Sequence, residues 1–216
     1  MRDPQTASLT IEHHYRSLGC DHIAGIDEAG RGAWAGPVVA AAVILPLERA
    51  DLREALAGVR DSKKVTTMRQ RNRLAESVRS TALAWGVGEA DVDEISAYNI
   101  AGATRLAMHR ALDAMWGAFP ITPDLLLLDY MRLPACLIEQ VSLARMDTLS
   151  LTVAAASLLA KTHRDDIMLR LDERYPGYDF AHNKGYGQPK HREGLDLLGV
   201  SPVHRLSFKP RQRRLL

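Results

Sequence analysis

Asp27 and Glu28 stand together at the end of a short apolar stretch, Ile23-Ala24-Gly25-Ile26, and just ahead of Gly30-Arg31-Gly32. Two more acids hold comparable places. Asp129 closes the run Leu125-Leu126-Leu127-Leu128, and Asp147 precedes an alanine-rich stretch that begins near Val153. The end of a buried strand is where an α/β sheet commonly presents its ligands. Carboxylates that converge repel one another, and a cation among them offsets that cost. A donor set made of oxygen suits Mg²⁺ or Mn²⁺ rather than zinc. A two-metal centre of this kind activates water and stabilises the leaving oxygen when a phosphodiester is hydrolysed.

Each residue also has a plainer use. An Asp at a strand end can bond turn amides. Asp147 can cap the helix that follows it, favoured by the helix dipole. Gly-Arg-Gly can be a hairpin turn, or it can bring backbone amides and an arginine close to phosphate. The residues alone leave these readings open, and the complete set of acids says more than any one of them.

The surrounding elements must bring the acids together. Residues 22–27 read as a strand. Val38 to Leu45, nearly all Val, Ala, Ile and Leu, reads as a second strand with both faces buried. The short glycine-containing connection predicts an antiparallel pair. Thr66 or Thr67 starts a helix reaching about Ser80, and Leu83 to Glu89 forms a third strand. Asp91 to Glu94 reads as an acidic turn. Asn99 then caps a helix whose apolar face carries Ile100, Ala103, Ala107, Ala111 and Ala114, ended by Pro120 and Pro123. Leu125 to Asp129 and Gln140 to Ala144 are two further strands. A long helix covers Val153 to about Arg174, and a short one lies near His191 to Leu198. A short leading helix fits the first twenty residues. The expected fold class is α/β, a mixed sheet flanked by helices. No Gly-x-Gly-x-x-Gly turn or P-loop is present.

The 216 residues suit one domain, and 46% apolar content is enough for a sizeable core. A net charge of +2 does not mark a nucleic-acid binder, but the segment 204–214 is strongly basic and can meet phosphates. Cys20 and Cys136 lack metal-ligand spacing and fit a reducing compartment. With no signal-like or membrane-length apolar run, a cytoplasmic protein with no membrane partner is expected. Trp34, Trp85 and Trp116 are assigned to packing.

Several motifs, in order along the chain, carry a family resemblance. Gly25-Ile26-Asp27-Glu28-Ala29-Gly30-Arg31-Gly32, followed by Gly36-Pro37-Val38-Val39-Ala40-Ala41-Ala42-Val43, resembles the opening of type 2 ribonucleases H, specifically bacterial ribonuclease HII. Asp61-Ser62-Lys63-Lys64, the helix Ala154 to Lys161 with Arg164-Asp165, Asn183 to Gly187 with His191, and His204 to Pro210 resemble later family segments. The resemblance implies a ribonuclease H-like mixed sheet with a small C-terminal helical extension. The whole chain 1–216 would be one domain, with its core at about 20–175 and a substrate-binding extension at 176–216.

The implied activity is endonucleolytic cleavage of RNA in RNA–DNA hybrids, together with incision 5′ of a lone ribonucleotide in duplex DNA. Products would carry 5′-phosphate and 3′-hydroxyl ends. By resemblance Asp27, Glu28, Asp129 and Asp147 are the catalytic, metal-binding acids for Mg²⁺ or Mn²⁺. Gly30, Arg31, Gly32, Lys63, Lys64, Ser157, Lys161, Lys184 and Tyr186 would bind substrate. Tyr186 would stack on the ribonucleotide sugar, and the glycine loop would read the 2′-hydroxyl. The enzyme is expected to act as a monomer. Two positions depart from the family pattern. Tyr130 follows Asp129 where glycine is usual, and Arg145-Met146 precedes Asp147 in place of Lys-Gly. Asp165 and Asp166 therefore compete with Asp147 for the fourth place. Another nuclease of the same fold, a non-catalytic hybrid-binding module and the sibling ribonuclease HIII are the competing readings.

Overall fold

The computed structural model describes residues 7–59, 67–134 and 136–207. Lys63, Lys64 and the basic segment beyond Ser207 lie outside them. A leading helix α1 (Thr10–Ser17) precedes strands β1 (Ile23–Ala29) and β2 (Val38–Ile44). A short α2 (Leu52–Ala55), α3 (Met68–Thr81) and β3 (Ala84–Ala90) follow. Then come α4 (Val92–Ala118), β4 (Leu125–Asp129), β5 (Glu139–Leu143), a 3₁₀ turn at Met146–Thr148, and the long α5 (Leu151–Arg174). Two helices, α6 (Phe180–Asn183) and α7 (Pro189–Leu198), complete the described chain.

The strands form one sheet in the order β3-β2-β1-β4-β5. β1, β2 and β3 are antiparallel, as the short glycine connection predicts, whereas β4 and β5 run parallel to β1. Side chains alternate between the two faces of a strand. The odd residues of β2, Val39, Ala41 and Val43, join the core under α5 and α3, and the even ones join the core under α4. Every residue of β2 is therefore buried. The same alternation puts Leu125 and Leu127 of β4 on the α5 side. Asp27 and Asp129 share the odd parity of that side.

Gly25 sets how close α5 comes. A Cβ there would stand 2.5 Å from the backbone of Thr152 and Val153, so only glycine lets β1 pass under the first turn of α5. Glu12 of α1 secures the same turn. It is fully buried, and its Oε1 accepts bonds from the Ser150 hydroxyl at 2.6 Å, the Thr152 hydroxyl at 2.9 Å and the Thr152 amide at 3.0 Å. These bonds satisfy donors that a helix start leaves open.

Some expectations need adjustment. β1 holds Asp27 as expected but runs on through Glu28 to Ala29, because pairing to β2 continues that far. The segment read as an acidic turn is helical. Asp91 caps it with a reciprocal bond to Glu94, so α4 starts there. Asn99 still acts as a cap within that helix. Its backbone leaves the helical region at φ 55°, and its side chain accepts from the amides of Ala101 and Gly102. Ala114 is exposed, and the inward position at that turn belongs to Met115. Trp116 is 39% exposed and so is not a core residue. No helix among the described residues is long and apolar enough to cross a membrane.

Candidate active site

Three acids meet where β1 and β4 run side by side beneath the start of α5. Asp27, Asp129 and Asp147 each offer a carboxylate oxygen within 4.8 Å of the others. The parallel register pairs Ile26 with Leu128, which makes Asp27 and Asp129 the next neighbours along the two strands. Asp147 arrives on the 3₁₀ turn, and the Met146 amide ties that turn to Asp129 Oδ1 at 3.0 Å. Asp147 is not the cap of α5. Ser150 holds that position, with its side chain accepting from the Val153 amide. Asp165, the competing acid, pairs instead with Arg71 at 3.2 Å and Lys161 at 3.3 Å.

Glu28 follows Asp27 on β1 but stands outside that trio. Its Oε1 takes a bond from Arg31 at 3.1 Å, while its buried Oε2 has no hydrogen-bond partner among the described residues. Burial, then the neighbouring Glu28, hold the Asp27 carboxyl well above the usual carboxylate range, and a bond from Ser157 opposes them. Burial also raises Glu28, against the charge of Arg31. Buried negative charge held this close, with an orphaned oxygen beside it, fits a divalent cation. The oxygen-only donors fit Mg²⁺ or Mn²⁺.

The glycine loop adjoins these acids and is fastened by two buried arginines. Arg164 of α5 donates to Pro37 O at 2.9 Å, Lys184 O at 2.9 Å and Ala35 O at 3.0 Å. Arg205 donates to Gly36 O at 2.8 Å, Pro37 O at 2.9 Å and Arg31 O at 3.0 Å. Burial, with the charge of Arg164, pushes Arg205 down to about 9, so it keeps its charge near neutrality. Gly30 has φ +91°, and a Cβ there would run into the Arg164 side chain. Tyr186, 39% exposed, lies beside Gly32, where an added Cβ would be 3.9 Å from its ring. The Arg164 guanidinium sits 5.7 Å from the centre of the same ring. The two motifs singled out in the sequence, Gly-Arg-Gly and Tyr186, therefore share one surface.

The lysines fare unequally. Lys161 is engaged by Asp165 on its own helix. Lys184 is 8% exposed, and its Nζ has no hydrogen-bond partner among the described residues. The residues that hold the loop, Arg164 and Arg205, received no role from the sequence, although both fall within quoted motifs. Nothing in their neighbours, Thr162-His163 and Asp165-Asp166 for one and His204 and Leu206 for the other, marks either as a buried clamp.

Behind Tyr186 lies a buried histidine pair. His191 Nε2 and His204 Nε2 are 3.0 Å apart, packed on Tyr178 and Phe180. Burial, then His191, lowers His204 to about 4. The unfolded chain protonates this histidine near its ordinary 6.5, whereas the folded one resists. Stability from this group is thus complete above about pH 6.5 and declines as pH falls toward 4. We expect a loss on the order of 2–3 kcal/mol between pH 7 and 4 from His204. Urea midpoints followed by tryptophan fluorescence at pH 7, 6 and 5 would check it, with a His204→Asn variant expected to flatten the profile.

A central β1 lies between antiparallel and parallel partners, with helices on both faces and acids on adjacent strands. A profile of the ribonuclease HII family matches residues 24–211. The chain belongs to the ribonuclease HII family. Ribonuclease HII of Halorhodospira halophila is 49% identical over 201 residues, which is 93% of this chain and 97% of that protein. Ribonuclease HII of Myxococcus xanthus is 47% identical over 202 residues, which is 94% of this chain and 66% of that longer protein. Among solved structures, ribonuclease H2 of Pyrococcus horikoshii aligns with a TM-score of 0.72 at 23% identity, covering 86% of this chain and 93% of that one. Bst ribonuclease HIII in complex with Mn²⁺ aligns at 0.65 and 21% identity, covering 89% of this chain and 68% of that one. These last two likenesses concern the fold.

Proposed function

We propose that this protein is a metal-dependent endonuclease that hydrolyses the RNA strand of RNA–DNA hybrids and incises 5′ of single ribonucleotides in duplex DNA. The observation that carries the reading is the meeting of Asp27, Asp129 and Asp147 within 4.8 Å beside the Gly30–Gly32 loop. Asp27, Glu28, Asp129 and Asp147 would hold Mg²⁺ or Mn²⁺, and the Mn²⁺ in the solved ribonuclease HIII agrees with that choice. When bound, such ions supply the charge that makes water a stronger nucleophile and offsets the departing 3′ oxygen.

The chain's own residues do the rest. Ser157 holds the Asp27 carboxylate in place. Arg31 both restrains Glu28 and faces the approaching phosphate. The backbone of Gly30 and Gly32, in a loop held by Arg164 and Arg205, would touch the 2′-hydroxyl. Tyr186 offers its ring to the sugar. Lys161, Lys184, Lys63 and Lys64 would contact phosphates, each adding about one unit to the salt slope. The protein would work as a cytoplasmic monomer in ribonucleotide removal during repair and replication.

The test is duplex DNA holding one ribonucleotide, incubated with Mg²⁺, Mn²⁺ or EDTA. Incision with either metal, none in EDTA, and 5′-phosphate with 3′-hydroxyl ends are expected. A cyclic phosphate end, or equal cutting of all-DNA duplex, would overturn the proposal. Tyr186→Ala is expected to impair incision at a lone ribonucleotide more than cleavage of a long hybrid. Comparing kcat/KM on the two substrates checks this, and equal losses would remove its special role.

A further inference from the structure

Tyr130 is the residue after Asp129, and nothing in the function proposed above uses it. Its position is unusual in three respects. The backbone is left-handed at φ 63°, a conformation that glycine adopts freely and a bulky residue seldom does. The ring is 68% exposed, so burial does not compensate. Its amide bonds Leu143 O at 3.1 Å, which carries the β4–β5 pairing one step past the strand and fixes where the residue must point from. The ring is not idle, because the Arg31 guanidinium lies over it, 5.9 Å from its centre. Arg31 in turn grips Glu28.

The glycine loop is thus bordered by two exposed aromatic rings, Tyr186 at Gly32 and Tyr130 at Arg31. An aromatic face backed by a guanidinium is a surface on which sugars and bases rest irrespective of sequence. Packing onto a strand of nucleic acid would give a strained, exposed ring the burial it lacks in the free protein.

We infer that the Tyr130 ring, stacked with Arg31, is a second aromatic platform that seats a nucleotide sugar of the bound duplex beside Asp129. The contact is apolar and needs no hydroxyl. This inference rests on the nuclease reading above.

The test is steady-state cleavage of an RNA–DNA hybrid by the parent, Tyr130→Phe, Tyr130→Ala and Tyr130→Gly. Tyr130→Ala is expected to lower kcat/KM about tenfold, with most of the loss in KM. Tyr130→Phe should stay within about twofold of the parent, since the face is kept. Tyr130→Gly should show the same KM loss as Tyr130→Ala yet melt no lower than the parent, because glycine accepts the left-handed backbone. That pairing of a sound fold with weaker binding separates a substrate contact from a structural role. An unchanged KM in Tyr130→Ala, or a loss in Tyr130→Phe equal to that in Tyr130→Ala, would overturn the inference. If the parent cleaves no hybrid at all, it is the nuclease reading that fails.

Discussion

Asp27→Asn is expected to lower hybrid cleavage ~10³-fold or more, while binding to the hybrid stays measurable. Asparagine keeps the shape and the bond from Ser157 but removes one negative charge from the trio. The same change should make the metal-free protein more stable. Asp27 is held above the usual carboxylate range by burial and by Glu28. Its charged form is therefore disfavoured in the fold, and near pH 7 that charge costs stability. Removing it relieves the cost. Divalent ions should behave in the opposite way. They should raise the melting temperature of the parent, by about 2.7 kcal/mol of stabilisation at a hundred times the dissociation constant, and do little for the variant. Melting curves with Mg²⁺, Mn²⁺ and EDTA, set beside single-turnover cleavage, measure all of this. Normal turnover in Asp27→Asn would remove the metal-centre proposal.

Arg205→Met should be nearly as damaging, for a different reason. Arg205 is 2% exposed and serves three carbonyls, those of Arg31, Gly36 and Pro37. Methionine fills much of the volume but leaves those oxygens without this donor. Pro37 O keeps its bond from Arg164, so the Arg31 and Gly36 oxygens are the ones left orphaned, and at about 1–3 kcal/mol each a loss of about 2–6 kcal/mol is expected. Arg205→Lys should recover only part, because an ammonium cannot fork across three acceptors as a guanidinium does. Activity should fall with order in the loop. Hydrogen exchange at the amides of residues 31–36 would report the loop, and urea unfolding the stability. If Arg205→Met keeps both parental stability and parental kcat/KM, the clamp has been misjudged.

How much of this was legible beforehand depends on how far apart the partners are in sequence. β2 could be read from its unbroken apolar run, and the antiparallel turn from the glycines before it. The strand-end setting of Asp129 likewise followed from four leucines. Asp147 could not be decided, because an acid ahead of a helix serves equally as a cap. Only the structure gives the cap to Ser150 and leaves Asp147 with Asp27 and Asp129. The helical turn at 92–98 was missed because its Asp91–Glu94 box looks like a solvated acidic turn until the amides are followed. Tyr186 beside Gly32 is a contact across about 150 residues, so no local pattern predicts it. Arg164 and Arg205 bind backbone carbonyls, which leave no trace in side-chain identity. The strain at Tyr130 and at Arg145, both left-handed, showed only as departures from an expected glycine nearby.

The bonds that Glu12 accepts from Ser150 and Thr152, and the one that Arg205 donates to Arg31, have a bearing on how the protein is made. Synthesis runs from the N-terminus, and a nascent chain can organise only what has already emerged. A fragment ending at residue 149 contains Asp27, Glu28, Asp129 and Asp147, but not the helix that roofs them. The loop beside them waits longer still, for the residue at 205. Incomplete chains should therefore carry the full complement of acids and remain silent toward nucleic acid. Premature termination would yield an inert fragment rather than an unrestrained nuclease.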